Sequence, residues 1–250
     1  MMFMLALVHL TLSLHPRFNL LDFFFARRVY ALDVRGEIPD ELWTLTFLDN
    51  LTFGINALSG EIPKELGLLT ELQSLSFGTN NFSGPLPSEL EDLTKLTQIF
   101  FSGKKTILLL SYINSAGVSG LIPLTFAKLQ SLDTVWASDN AFTGRIPGFI
   151  GNNWSNITAL RFEGNAFEGP IPASFSNLTS LTDLDLSFNN LTGRVPDVLF
   201  NLTLLTHLFL GDNKLTGTLS TLKRQSLQTI DLSYNEISGS FPSWINGPNL

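Results

Sequence analysis

The 250-residue chain contains no cysteine, which excludes a disulfide framework and a cysteine-ligated zinc site within it. Charged residues make up only 15% of the sequence, so neutral polar side chains must cover much of the surface. The formal net charge is −7, so the sequence does not predict the positively charged surface that binds a nucleic-acid phosphate backbone. We therefore expect no nucleic-acid partner. After residue 30, no hydrophobic run reaches the ~20 apolar residues of a membrane span.

Residues 1–28 are predicted to form an apolar segment that is separate from the rest of the chain. Residues 1–14 carry no formal charge and have the length of a signal-peptide core, although a basic n-region and a small-residue cleavage site are missing. The segment is interpreted either as a true signal peptide or as a degraded or mis-annotated one, and the sequence leaves both open.

Glycine and proline are frequent, with 19 and 12 residues, and they recur at a regular interval. The phrase Gly-x-Ile-Pro, with conservative changes at its third place, returns about every 24 residues, which indicates a repeat array. One interval, from Gly84 to Gly120, is 36 residues long, and a single 12-residue insertion explains it. The glycines that keep the phase are Gly36, Gly60, Gly84, Gly120, Gly144, Gly169, Gly193, Gly217 and Gly239.

Each coil also carries the pattern L-x-x-L-x-L-x-x-N-x-L, as in the stretch from Leu181 to Leu191. A strand alternates every second residue and a helix about every 3.6 residues, and this pattern follows neither for long. Its central L-x-L predicts a short strand, and the outer leucines turn inward where the chain bends. Glycine then frees the backbone, and proline suits the first position of a short helix or 3₁₀ turn, as at Pro39 and Pro87.

The asparagine of the pattern lies four residues before the glycine. A buried turn leaves backbone groups without partners, and each orphan costs about 1–3 kcal/mol. A side-chain amide carries both a donor and an acceptor, so we predict a ladder of stacked asparagines that is weakest where Ala116 replaces one of them. The ladder residues are Asn56, Asn80, Asn140, Asn165, Asn189, Asn213 and Asn235.

The full pattern LxxLxLxxNxLxGxIPxxLxxL resembles the plant-specific class of leucine-rich repeats, found in plant receptor-like kinases and secreted inhibitors. Stretches such as 170–175 and 205–210 are similar to the receptor-like serine/threonine kinases whose ectodomain also contains a malectin-like domain. The resemblance implies an α/β repeat solenoid over residues 29–250, with about nine repeats. It also implies a right-handed superhelix with short parallel concave strands and 3₁₀ or helical convex turns.

The chain departs from the ectodomains of this family in several ways. They usually begin with a cysteine-bearing cap, which a chain without cysteine lacks. The Gly-rich loop, strand lysine, HRD and DFG motifs of a kinase are absent, so we expect a non-catalytic, truncated part of a receptor. The alternatives are a secreted repeat protein similar to polygalacturonase inhibitors and a non-functional product of a truncated gene.

The resemblance also implies that the concave sheet binds the ligand. The outward residue between the two strand leucines is aromatic or charged in several coils, and exposed aromatics with arginine dominate interface energies. The predicted binding strip comprises Phe100, Trp136, Arg161, Asp185, Phe209 and Asp231. The alternative is that strands simply favour aromatics and that Arg161 and Asp185 form a cross-strand ion pair.

Seven Asn-x-Ser/Thr sequons favour a secreted or cell-surface route. The predicted glycosylation sites are Asn50, Asn81, Asn153, Asn156, Asn177, Asn190 and Asn201. Among these, Asn50 is predicted to face the concave sheet. We expect an extracellular peptide, a glycan or a co-receptor protein as partner, with a membrane-anchored parent protein.

No catalytic constellation is recognisable in the sequence. His207 is predicted to lie at an exposed strand position beside Asp183, with no repeated histidine or carboxylate at ligand spacing. A solenoid offers no closed pocket to shift the pKa values of its carboxylates. We therefore expect neither enzymatic activity, nor a bound metal, nor a cofactor.

The 12-residue excess lies at about residues 103–114. It is interpreted either as an island loop that binds a ligand, or as a tolerated surface insertion or gene-model error. Residues 107–110 are apolar and have no coil position to fill, which favours the second interpretation.

Deletion of residues 103–114 is expected to restore an unbroken stack, because the flanking coils then follow at the ordinary interval. The melting temperature of the deletion variant should equal or exceed that of the full chain, as measured by circular dichroism. A lower melting temperature would contradict the interpretation as a tolerated insertion.

Overall fold

The computed structural model describes residues 27–28, 34–101, 117–219, 226–240 and 242. The predicted insertion at 103–114, Ala116 and the apolar segment up to residue 26 lie outside this part of the chain.

Short parallel strands form one long sheet along the described ranges. Consecutive strands pair in coil order and in register, so that Leu160, Leu184 and Leu208 are direct partners. This confirms the predicted stack of short parallel strands, and the sheet includes a strand before residue 29, where the repeat domain is predicted to begin. The nine strands are β1 (Arg27–Arg28), β3 (Asn50–Thr52), β5 (Ser74–Ser76), β7 (Gln98–Phe100), β9 (Thr134–Trp136), β11 (Ala159–Arg161), β13 (Asp183–Asp185), β15 (His207–Phe209) and β17 (Thr229–Asp231).

A second set of strands, which the sequence pattern does not predict, follows the turn asparagines. Here the chain alternates between exposed and buried residues, as in Asn190, Leu191 and Thr192, and this is the period of a strand. Six of these strands form one sheet and three form another, and the bridge between Pro85 and Ser119 joins the two. They are β2 (Arg35–Gly36), β4 (Ala57–Glu61), β6 (Asn81–Ser83), β8 (Ser119–Gly120), β10 (Ala141–Arg145), β12 (Ala166–Gly169), β14 (Asn190–Arg194), β16 (Lys214–Gly217) and β18 (Glu236–Ile237).

Short helices complete the coils. Proline precedes each 3₁₀ helix in an extended conformation, so its predicted place as the first helical residue is wrong by one position. At Pro63, the carbonyl oxygen accepts a hydrogen bond of 3.2 Å from the Leu66 N–H and thereby starts the turn. The 3₁₀ helices are Asp40–Thr44, Lys64–Leu68, Ser88–Asp92, Leu124–Lys128, Ala173–Asn177 and Asp197–Asn201, and the one α-helix in the described ranges is α1 (Phe149–Asn153). None of the described helices has the length and apolar character needed to cross a bilayer.

The leucines of the pattern and a set of phenylalanines fill one continuous core between the sheets and the helices. Phe53, Phe77 and Phe101 occupy the same position in successive coils and stack, with ring centroids 5.6 and 6.1 Å apart. Stacking continues past the predicted insertion, because β7 pairs with β9 and the Phe101 N–H donates to the Trp136 carbonyl at 2.8 Å. The sheet therefore joins coils whose strands are 36 residues apart in sequence.

The turn asparagines connect each coil to its neighbour. Asn189 Oδ1 accepts a hydrogen bond from the Phe167 N–H of the preceding coil at 3.0 Å, and Asn189 Nδ2 donates to the Phe162 carbonyl of that coil at 2.9 Å. The same Nδ2 also donates to Leu186 and Ser187 of its own turn. Asn140 follows the coil that contains Ala116, and its Nδ2 bond to the preceding coil, at Phe101, is longer at 3.4 Å.

The residue before each turn asparagine has a left-handed backbone. Its φ lies between 52° and 58° when it is not glycine, a conformation that costs an L-residue about 1–2 kcal/mol. The position is occupied by Ile55, Thr79, Asp139, Gly164, Phe188, Asp212 and Tyr234. Glycine and aspartate tolerate this conformation, whereas Ile55, Phe188 and Tyr234 do not favour it.

Replacement of Asn189 by alanine should lower the free energy of unfolding by at least about 2 kcal/mol, because it leaves the buried Phe167 N–H and turn carbonyls without partners. Urea denaturation of the unglycosylated protein measures the change. The matched control is Asn190→Ala, which alters an exposed asparagine of the same coil and should change the stability little. Equal stability of the two variants would contradict a structural role for the Asn189 amide.

Candidate ligand-binding surface

The concave sheet brings the six residues of the predicted strip into one line. Phe100 is the register partner of Trp136, which pairs with Arg161, which in turn pairs with Asp185. The line continues through Phe209 to Asp231. Neighbouring strands lie about 4.8 Å apart, so each side chain can touch the next. The strip is a continuous surface, and its role in binding stays a prediction.

An aromatic pair lies in the N-terminal half of the strip. The rings of Phe100 and Trp136 meet edge to face, with centroids 5.1 Å apart and an interplanar angle of 74°. Trp136 is 37% exposed, although most of the large apolar side chains in the described chain are buried. Arg161 Cζ lies 5.0 Å from the centroid of the Trp136 ring, which is within cation–π range. The pair thus offers an apolar platform with a cationic edge.

Arg161 is held by Asp183, and the interpretation of an Arg161–Asp185 ion pair is wrong. Arg161 Nε and Nη2 donate to the two oxygens of the Asp183 carboxylate at 3.0 and 2.8 Å, a bidentate arrangement that raises the pKa of Arg161. Asp185 instead accepts hydrogen bonds on Oδ1 from the Ser187 N–H and hydroxyl, at 3.0 and 2.6 Å. Asp185 is therefore oriented by its own turn.

His207 lies directly opposite Asp183 in the sheet, as the sequence predicts, but it is half-buried and not exposed as expected. Its Nδ1 is 2.8 Å from the Thr206 hydroxyl oxygen, and its ring stacks on that of Phe209 with centroids 6.4 Å apart. The C-terminal half of the strip thus has an aromatic surface of its own, beside two aspartates.

Glu163 is a concave residue that the sequence pattern does not single out. It comes directly after Phe162, the second buried residue of the strand segment. The same position is glycine or serine in other coils, for example Gly78, Ser138 and Ser187. Its Oε2 is buried and has no hydrogen-bond partner. Burial, reinforced by the charge of Asp185, raises the pKa of Glu163 from 4.5 to about 7. The expectation that the solenoid does not shift the pKa values of its carboxylates is therefore wrong at Glu163. Burial also raises the pKa of Asp185.

The sequons are spread over several faces of the coils. Asn50 begins β3 on the concave sheet and is exposed, as predicted. Asn81 and Asn190 begin strands of the second sheets. Asn153, Asn177 and Asn201 end the convex helices, and Asn156 follows α1. Their glycosylation remains a prediction, and Asn50 is the only sequon among the described strands of the concave sheet.

Within the described ranges, no group of three or more histidine, aspartate or glutamate side chains is arranged to hold a metal ion. The concave carboxylates are engaged with Arg161 and Ser187 or, in Glu163, lie beside another acid. The arrangement is suited to contact a partner through aromatic, cationic and acidic groups in sequence along one line.

The protein should lose stability as the pH rises from about 4.5 to about 7, because the folded chain binds a proton at Glu163 that the unfolded chain releases. Glu163→Gln removes this penalty. The variant should match the native chain near pH 4.5 and exceed it by on the order of 2 kcal/mol at pH 8. Urea denaturation at both pH values measures this, with Glu168→Gln, an exposed glutamate of the same coil, as control. A pH-independent difference would contradict the assignment.

The Leucine rich repeat family model matches residues 145–215, and a second Leucine Rich Repeat model matches residues 71–93 and 226–247. Receptor-like protein 31 of Arabidopsis thaliana is 35% identical over 69 residues, which are 28% of this chain and 8% of that protein. A probable LRR receptor-like serine/threonine-protein kinase of the same plant is 60% identical over 30 residues, or 12% of this chain and 3% of that protein.

Among solved structures, the plant peptide hormone receptor RGFR1 in complex with RGF2 superimposes with a TM-score of 0.76 at 31% identity. The match covers 90% of this chain and 38% of that chain. The chain therefore spans only a small part of each curated relative and well under half of the solved receptor. It is a leucine-rich-repeat solenoid, and it is homologous to the ectodomains of plant receptor-like proteins and receptor-like kinases.

Proposed function

We propose that this chain is the extracellular ligand-binding region of a plant receptor-like protein or kinase, non-catalytic in itself, and that its concave strip binds a peptide. The similar solved structure is named as a peptide hormone receptor in complex with RGF2, and it shares the same stack of coils over nearly all of this chain. The other partners that the sequence suggests, a glycan or a co-receptor protein, would use the same exposed solenoid surface.

The observation that carries this proposal is the rigid aromatic–arginine group on the concave sheet. Trp136 is exposed but fixed between Phe100 and Arg161, and Arg161 is fixed by two hydrogen bonds to Asp183. Aromatic and arginine side chains supply most of the energy of protein interfaces, and side chains that are already ordered lose little entropy on binding. The fold alone does not require a large aromatic here, because Ser76 fills the same position two coils earlier.

The class of receptor that contains this chain is a separate part of the proposal. We propose that it is a membrane-anchored receptor-like serine/threonine kinase of the malectin-containing subgroup, located at the cell surface. The short match of 60% identity supports a receptor-like serine/threonine kinase, and the seven sequons support the cell-surface location. The malectin-containing subgroup rests on the sequence resemblance alone. Six of the seven sequons lie away from the described concave strands, which would leave most of that surface free of glycans.

The test begins with peptides selected from a random display library on the immobilised chain. Trp136→Ala should lower the affinity for the tightest-binding peptide by at least about 30-fold, since a central hot-spot residue contributes about 2 kcal/mol or more to binding. Isothermal titration calorimetry measures the affinity. Thr52→Ala, on the same sheet but outside the aromatic group, serves as the matched control and should bind normally.

An unchanged affinity in both Trp136→Ala and Arg161→Ala, with native circular dichroism spectra, would overturn the assignment of the strip as the binding surface. Selection of peptides that the chain binds only through its convex helices, as mapped by competition, would do the same.

A further inference from the structure

Two exposed aromatic side chains lie outside the concave strip, at the turn that follows the strands. Phe188 is 60% exposed and Tyr234 is 80% exposed. Both are the left-handed residue before a turn asparagine, with φ of 53° and 52°. Neither side chain belongs to the buried core, so packing does not explain why a bulky residue occupies a position that disfavours it. The other coils share this left-handed backbone, so the exposed aromatic ring is what distinguishes Phe188 and Tyr234.

The same position in other coils shows what the fold alone requires. Gly164 occupies it in the coil before Phe188, and it adopts the conformation without steric cost. Its N–H still donates to the next coil, at Ser187, over 3.0 Å. The turn is thus complete without any side chain at this position. The aromatic rings of Phe188 and Tyr234 are additions to a turn that a glycine can form.

The two aromatic residues are separated by one coil, and the turns of the three coils are joined by hydrogen bonds. The Asn189 N–H donates to the Asp212 carbonyl at 3.1 Å, and the Asn213 N–H donates to the Tyr234 carbonyl at 3.2 Å. Two hydrogen-bonded steps of about 4.8 Å place Phe188 and Tyr234 about 10 Å apart. Asp212, which is half-buried, lies between them. We call Phe188, Asp212 and Tyr234 the aromatic rim.

We propose that the aromatic rim is a second binding site, and that it takes a proline-rich segment in the polyproline II conformation that carries a basic residue between its contact prolines. In that helix, three residues make one turn and each rises about 3.1 Å, so residues i and i+3 lie on one face about 9 Å apart. This spacing matches the two aromatic residues. Prolines pack against aromatic rings, and the preformed helix loses little entropy on binding.

The other regular peptide conformations fit the rim less well. Side chains on one face of a strand repeat every second residue, about 7 Å apart, which is shorter than the about 10 Å between the backbones of Phe188 and Tyr234. An amphipathic helix needs a continuous apolar groove, and the residue between Phe188 and Tyr234 along this edge is the half-buried, acidic Asp212. The Asp212 carboxylate favours a lysine or arginine in the bound segment.

The test uses a fluorescent peptide of three Pro-Pro-Arg repeats and measures binding to the full chain by fluorescence anisotropy. A peptide of three Gly-Ser-Arg repeats has the same charge without the polyproline conformation, and a Pro-Pro-Glu peptide has the conformation with the opposite charge. The Pro-Pro-Arg peptide should bind at least tenfold more tightly than either control.

Phe188→Gly and Tyr234→Gly should each lower the affinity of the chain for the Pro-Pro-Arg peptide at least tenfold. Neither should lower the melting temperature, because glycine relieves the backbone strain at both positions. Thr79→Gly is the matched control: it relieves the same strain in a coil outside the rim and should leave binding unchanged. Trp136→Ala should also leave this peptide unaffected, so the rim and the concave strip are tested separately.

Three results would overturn the proposal. One is equal binding of the Pro-Pro-Arg and Gly-Ser-Arg peptides. Another is native binding by both glycine variants. The third is tighter binding at the rim by a helical peptide whose apolar side chains are seven residues apart, which would identify a different partner.

Discussion

The amide of the turn asparagine is the interaction on which the other features of this solenoid depend. Through Oδ1 and Nδ2, Asn189 satisfies backbone groups of two coils at once, and Asn213 and Asn235 repeat the arrangement in the next two coils. Because these bonds hold the coils at one spacing, they align the concave strip. They also hold the preceding residue in its left-handed conformation, and so they place the aromatic rim.

The sheet tolerates a change of interval because only part of each coil contributes to the stack. β7 and β9 pair in register although 36 residues separate them, twelve more than the usual interval. The aromatic pair of Phe100 and Trp136 forms across this pairing. In general, lengthening a flexible loop costs little entropy, about 0.6 kcal/mol for each doubling of its length. The central group of the proposed binding strip therefore spans the least regular part of the sequence.

The repeat phase predicts the strands, the turn asparagines and the register of the strip, because all three follow from a fixed period. It does not predict the partners of individual side chains. Arg161 reaches Asp183 on the diagonal, and its register partner Asp185 turns to Ser187, so the choice depends on local hydrogen bonds that a period does not contain. Glu163 and Phe188 escape prediction because the pattern treats their positions as variable. The second sheets are missed because N-x-L-x-G is too short to show its alternation.

The variable positions of the repeat are also where the proposed functions lie. The fold requires leucine and asparagine at their positions in the repeat. At the strip and rim positions of other coils a small residue is sufficient, as Ser76, Gly164 and Thr79 show. Trp136 at a strip position and Phe188 at a rim position both add exposed apolar area. Phe188 also has a strained, left-handed backbone. Neither residue belongs to the buried core, and the two proposed binding surfaces would give both of them a contact outside the chain. The strip offers that contact on the concave sheet, and the rim offers it at the edge where the chain turns away.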